Sequence, residues 1–222
     1  MVVAKSRSRS GKSAPARKDT AERALEQAEK LLVRGGYSAL SLDAIARALD
    51  IRTPSLYHHF PGGKEELLLA VAERRTVEDS VRLRERMKAD ADPVDKLRAV
   101  AGYFATLSGH HLRHALAESR KELSPAARRK LQAHYAALIE APLIALVEDA
   151  TARKQFRPCN PVAAVRAFLM LMLSLGEFEA DDPLRAQLPE FLVELFAHGL
   201  VIRAGTTNRI PVRRSTGTRK SG

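Results

Sequence analysis

Apolar positions recur at helical spacing along almost the whole chain. Leu25, Ala28, Leu31 and Leu32 share one face of a stretch running from about Asp19 to Arg34, and Gly35-Gly36 ends it. Leu42, Ile45, Ala46 and Leu49 repeat at three- and four-residue intervals behind Ser41, whose hydroxyl suits a helix N-cap. Asp50 falls where the chain must turn sharply, and Asp tolerates positive φ better than most residues. Thr53 as N-cap and Pro54 at the first helical position predict a second short helix through Phe60, with Leu56 and Phe60 facing inward. Pro61-Gly62-Gly63 reads as a turn, and a long helix follows from Lys64 to about Ala89.

The pattern continues beyond it. Asp92 caps a helix from Pro93 to Leu107, and Gly109 to Leu123 is helical. Ser124-Pro125 opens a helix running to about Arg153, with Leu131, Tyr135, Leu138, Pro142, Leu146 and Ala150 along one side. Pro142 predicts a kink there, because its ring clashes with the preceding turn and it donates no amide hydrogen bond. Asn160-Pro161 begins a helix that is apolar nearly all round through Leu175. The last helix, about Pro189 to Val201, carries Leu188, Phe191, Leu192, Leu195, Phe196, Gly199 and Leu200 on one stripe. No alternating Val/Ile/Thr run argues for a sheet. The expectation is an all-α chain.

Composition narrows the function classes. The 222 residues suffice for a small domain joined to a larger one. One Cys excludes an intramolecular disulfide framework and a multi-Cys zinc site, and suits a reducing, cytoplasmic setting. The N-terminus lacks the apolar run of a secretory signal. Ala167 to Leu175 is bracketed by Arg166 and Glu177 and falls short of the roughly 20 residues that span a bilayer. No HExxH, GxSxG, Walker or GxGxxG motif occurs, so no enzyme activity and no cofactor are expected. Gly62-Gly63-Lys64 lacks the preceding strand and the first Gly of a phosphate loop.

The net charge of +11 invites nucleic acid as a partner, but its distribution matters more. Lys5, Arg7, Arg9, Lys12, Arg17 and Lys18 make residues 1–18 wholly basic; Arg203, Arg209, Arg213, Arg214, Arg219 and Lys220 do the same for the far end. The body between is nearly neutral. Both ends are rich in Ser, Gly and Thr and read as disordered basic segments. The expected division is a basic arm at 1–18, a helix-turn-helix domain at 19–75, a helical effector-binding and dimerisation domain at 76–203, and a basic tail at 204–222.

Two short helices joined by a tight turn, the second bearing small polar and aromatic groups near its start, match a helix-turn-helix that enters a DNA groove. A plain helical hairpin within a bundle is the alternative. Over SLDAIARALDIRTPSLYHHFPGGKEELLLAV the chain resembles the N-terminal domain of the TetR (tetracycline-repressor) family. The matching elements are the Ser41 cap, the Ile45-Ala46 pair, the Leu56-Tyr57-x-x-Phe60 core and the Lys64-Glu65-x-Leu67 opening of the fourth helix. The PGGKEEL version is similar to the branch around the lincomycin- and flavonoid-responsive repressors. Asp50 stands where the family usually has Gly, and Arg52 where it usually has Ser.

The resemblance implies a regulator, most often a repressor, that binds a palindromic duplex operator as a homodimer and is released by a small hydrophobic ligand. It implies phosphate contact by Ser41 and Lys64, base-edge contact by Thr53, Pro54 and Ser55, base or backbone contact by Tyr57 and His58, and a place for Arg52 among the DNA-binding residues. A helical adaptor, or an enzyme with no recognisable motif, is the alternative function. Effector-pocket candidates are Tyr103, Phe104, Leu107, His111, Tyr135, Ile139, Phe168 and Met172, each of which also suits plain core packing. Dimer contacts are expected at Phe191, Leu195, Phe196 and Gly199. His110, His114 and Glu118 recur every four residues, a spacing open to a divalent metal but commoner as a solvated stripe; no metal is expected. Cys159 lies in a loop beside Pro158, a place where redox chemistry is the rarer reading.

Overall fold

In the computed structural model, residues 15–87, 91–106, 110–175, 183 and 186–200 are described, and they contain helices and no strand. The helices are α1 (Pro15–Ala39), α2 (Leu42–Leu49), α3 (Thr53–His59), α4 (Gly63–Met87), α5 (Pro93–Thr106), α6 (His110–Ser119), α7 (Pro125–Tyr135), α8 (Ala141–Ala152), α9 (Pro161–Ser174) and α10 (Leu188–Leu200). The all-α expectation holds. The basic arm up to residue 14, Leu107 and the C-terminal tail lie outside the described residues.

Side-chain caps start several helices where the sequence placed them. The Ser41 hydroxyl accepts from the Ala44 amide, Asp92 Oδ1 from Val94, Ser124 Oγ from Ala127 and Asn160 Oδ1 from Ala163. Helix α1 breaks at the expected glycine pair, where Gly36 adopts φ 61° and redirects the chain into a last turn ending at Ala39. It begins at Pro15, earlier than the apolar pattern indicates.

The long helix expected from Ser124 to Arg153 runs without a break from Pro125 to Ala152, but its winding changes midway. Between α7 and α8 the turn Ala136–Glu140 widens to a π-helical ring. Pro142 follows at once and has no amide to offer the preceding turn, and the wide turn makes room for its ring.

Two cores hold the fold. One joins Ala24, Ala28 and Leu32 of α1, Ile45 and Leu49 of α2, Leu56 and Phe60, and Leu67, Leu68 and Val71 of α4; Ala115 of α6, Leu123 in the connection after it and Leu131 of α7 close it. The helix-turn-helix is therefore roofed by helices from beyond residue 75. The other core gathers Leu83 of α4, Leu97, Val100 and Tyr103 of α5, Leu143 and Val147 of α8, Phe168 and Met172 of α9, and Val193 and Leu200 of α10. Each fully buried large side chain contributes about 1.5–3 kcal/mol. Helix α4 serves both cores in one unbroken rod of 25 residues.

Candidate nucleic-acid interface

The α2–α3 unit is rigid for local reasons. Asp50 occupies the left-handed region at φ 53° and ψ 48°, and its amide donates to the carbonyls of Ala46 and Arg47. The Ile51 amide donates to Ala46 at 3.0 Å. This is the helix-terminating geometry that Gly normally serves, and here an Asp adopts it. Leu42, Ile45, Ala46, Leu49 and Leu56 are buried beneath, which fixes the roll of both helices.

The cap of α3 corrects the sequence reading. Arg52, in extended conformation, is the N-cap and makes no side-chain capping bond; its carbonyl accepts from the Ser55 amide at 2.9 Å. Thr53 is already helical, and its hydroxyl donates across to Asp43 Oδ1 on α2 at 2.8 Å. Thr53 does not cap because the helix starts one residue before the predicted position, at Thr53 itself, with Arg52 as its N-cap. Helix α3 also ends one residue early, at His59, with Phe60 buried as its C-cap.

Five of the expected contact residues stand out from this frame. Arg52, Pro54, Ser55, Tyr57 and His58 are exposed, Tyr57 by 51% despite its ring. Ser41 and Thr53 are half-buried, each with its hydroxyl engaged within the protein. Lys64 is half-buried too; its Nζ lies 4.1 Å from the centroid of the Tyr37 ring and donates to the Ser38 carbonyl at 3.5 Å. The structure thus adds Tyr37, Ser38 and Asp43 to the site. The one sequence cue to Tyr37 is an aromatic directly after the Gly35-Gly36 break. Burial, with the charges of Glu65 and Glu122 behind it, pushes the Tyr37 phenol above its ordinary range, so the ring stays neutral beneath the ammonium.

The start of α4 is shaped by two glycines. Gly63 has φ 66°, and a Cβ there would lie 3.8 Å from Cε1 of Tyr57, so the tyrosine ring sits against this turn. The Gly62 amide donates to Glu66 Oε2 at 2.6 Å. Glu65 reaches the other way, accepting the Ser124 amide at 2.6 Å and so tying α4 to the start of α7. That amide, then the Ser124 hydroxyl, holds the Glu65 carboxyl below its ordinary range.

The other sequence candidates separate. Tyr103, Phe104, Ile139, Phe168 and Met172 are buried in the second core, and Tyr135 packs half-buried against it. Leu107 and the side chain of His111 lie outside the described residues. Of the pocket candidates whose side chains are described, none lines the shallow cleft between α1 and α6, which is bounded by Glu26, Glu29, Lys30, Val33, Arg34 and Leu112. The His110 side chain is likewise undescribed, while His114 and Glu118 are exposed and Glu118 pairs with Lys121 at 3.7 Å. Cys159 is half-buried, and burial raises its thiol above the usual range.

The stripe on α10 divides into two faces. Leu192, Val193, Ala197 and Leu200 are buried, Phe196 packs against Phe168 with ring centroids 5.2 Å apart, and Gly199 sits near the Arg157 guanidinium. Phe191 and Leu195 point outward, exposed by more than half. On α9, Val162, Met170 and Leu173 are exposed as well, so that helix is buried on one side only.

Residues 24–71, which span the interface just described, match the family model for bacterial regulatory proteins of the tetR family. Over that segment the chain is similar to that family. It is 31% identical over 81 residues to the HTH-type transcriptional regulator LmrA of Bacillus subtilis (strain 168), a match covering 36% of this chain and 43% of LmrA. This chain thus spans under half the length of that curated relative. Among solved structures it is similar to the TetR family transcriptional regulator PfmR from Thermus thermophilus, at 29% identity and a TM-score of 0.62 over 80% of this chain and 98% of that one. It shares its fold with AibR, solved in complex with isovaleryl coenzyme A and operator DNA, at 24% identity and a TM-score of 0.65 over 79% and 97% of the two chains. No helix among the described residues is long and apolar enough to cross a membrane.

Proposed function

We propose that the chain is a sequence-specific DNA-binding transcriptional regulator that acts as a homodimeric repressor, leaving its operator when a small hydrophobic ligand binds. The observation that carries this is the exposed outer face of α3. Arg52, Pro54, Ser55, Tyr57 and His58 project from a helix whose other side is locked into a core. Donors and aromatics on a short, rigid helix suit a major groove, and Lys64 beside them suits a phosphate. Ligand release would work through α4, which enters both cores and is fastened to α7 by Glu65–Ser124 and by Glu73–Lys130 at 2.9 Å. The outward residues of α9 and α10 would pair two copies, and two copies would read a palindrome.

The neutral body leaves phosphate attraction to the ends of the chain. We assign that role to the basic arm at residues 1–18, lying along the backbone or in the adjacent minor groove. Removing residues 1–17 then weakens operator binding and flattens its salt dependence, whereas an unchanged salt slope contradicts the assignment. The function itself is tested by retention of DNA from upstream of the protein's own gene on a native gel, followed by a screen of apolar small molecules for release. No retention overturns it.

A further inference from the structure

We infer that Asp43 is a positioning residue for the reading head: through the Thr53 hydroxyl it sets the attitude of the first turn of α3, and so governs which operator the chain prefers. The inference rests on the DNA-binding function proposed above and concerns a residue to which neither motif nor periodicity assigns a role.

The geometry is specific. Thr53 is the first residue of α3, beside the exposed Arg52, Pro54 and Ser55 that face the groove. A threonine there would ordinarily use its oxygen on the helix's own amides or offer its hydrogen to DNA. Here the single hydroxyl hydrogen goes to Asp43 Oδ1 at 2.8 Å, ten positions back on α2. Because Arg52 caps α3 without a side-chain bond, this is the polar tether seen on the first turn of the helix. The apolar anchors are Leu56, at the midpoint of α3, and Phe60, its C-cap. Neither anchor lies in the first turn of α3, and the charge-assisted hydrogen bond from Thr53 to Asp43 fixes that turn directly. Asp43 also lies in the first turn of α2, where its charge suits the helix dipole. As an exposed carboxylate close to the DNA-facing surface it adds nothing to phosphate attraction, so its contribution must be to selectivity.

With its hydrogen engaged, Thr53 meets the groove with its methyl group and oxygen lone pairs, as an apolar and accepting surface and not as a donor. Loss of the tether should also loosen discrimination while leaving general duplex affinity intact or raised, since a negative charge has been removed.

The test is a double-mutant cycle on the full chain, read by fluorescence anisotropy on its own upstream operator and on a scrambled duplex of equal composition. Asp43→Ala and Thr53→Val should each lower operator affinity about three- to tenfold, with scrambled-duplex affinity unchanged or higher. The double variant should bind no worse than either single one. Asp43→Asn, which keeps an acceptor oxygen but no charge, should retain the preference and so exclude a pure helix-dipole effect. Thermal melting of each variant separates lost folding from lost selectivity. The inference is overturned if Thr53→Val loses as much in the Asp43→Ala background as alone, because the hydroxyl then touches DNA itself. It is equally overturned if Asp43→Ala lowers both affinities alike or changes neither. If the wild-type chain fails to distinguish operator from scrambled duplex, the DNA-reading function fails, and the inference with it.

Discussion

The ammonium of Lys64, at the start of α4, stands 4.1 Å from the centroid of the Tyr37 ring in the last turn of α1. The Gly36 turn at φ 61° delivers the ring, and the Gly63 turn delivers the lysine. An exposed cation–aromatic contact contributes about 0.5–1 kcal/mol, enough to keep a long side chain poised toward a phosphate. Tyr37→Leu should therefore weaken operator binding about two- to fivefold, while Tyr37→Phe keeps it. Lys64→Gln should lower the slope of log affinity against log salt by about one unit. Titrations at several salt concentrations check both, and a Lys64→Gln slope equal to the wild type removes Lys64 from the phosphate contacts.

A buried polar contact joins α4 to α5. The Tyr103 hydroxyl donates to Asp79 Oδ1 at 2.5 Å, the Arg75 guanidinium lies 3.4 Å from the same oxygen, and Asp79 and Tyr103 are almost wholly buried. Removing the hydroxyl takes a donor from a carboxylate out of reach of water. Tyr103→Phe should destabilise the chain by about 1–3 kcal/mol in urea unfolding, although the ring remains to fill its space. A change within error would mean that Asp79 is satisfied without Tyr103.

Acid should loosen the attachment of α4 to α7. Glu65 is charged in its bond to the Ser124 amide, and its carboxyl titrates below the ordinary value of 4.5. A depressed carboxylate stabilises the folded state above the unfolded value, and the effect is lost as pH falls through the folded one. The stability difference between wild type and Glu65→Ala should thus be constant above about pH 4.5 and shrink below it. Urea midpoints across that range measure this; a difference that grows toward acid pH contradicts the sign.

Phe191 and Leu195 are exposed on α10, and Val162, Met170 and Leu173 on α9. Large apolar side chains this exposed are commonly covered by a partner. Sedimentation of the wild type should give twice the 24.4 kDa chain mass, and the pair Phe191→Glu with Leu195→Arg should give the chain mass itself. A wild-type monomer at micromolar concentration would count against a homodimer.

Local features of this chain were legible because they obey local rules. Ser41, Asp92, Ser124 and Asn160 are short oxygen-bearing side chains just before an apolar run, and each caps its helix. Asp50 was legible as a positive-φ turn for the same reason. Thr53 fits the same pattern and yet does not cap, because the helix already begins at Thr53, with Arg52 in the capping position, and the Thr53 hydroxyl donates instead to Asp43. The Tyr37–Lys64 contact was hidden likewise, since it depends on two turns that bring distant residues together. Periodicity marked the apolar positions of α10 but could not say that Leu192 and Val193 face a core while Phe191 and Leu195 face outward. Nor could it separate a ligand cavity from solid packing, because Phe168 and Met172 are apolar in either case.

The face of α3 is tested most directly by comparing the affinity of the full chain for a duplex from upstream of its own gene with that for a scrambled duplex, at one salt concentration near physiological. A groove-reading helix predicts a preference of about a thousandfold or more, reduced by Ser55→Ala or Tyr57→Ala while binding to the scrambled duplex is retained. Equal affinity for the two duplexes, unaffected by either substitution, would contradict DNA reading by residues 41–64.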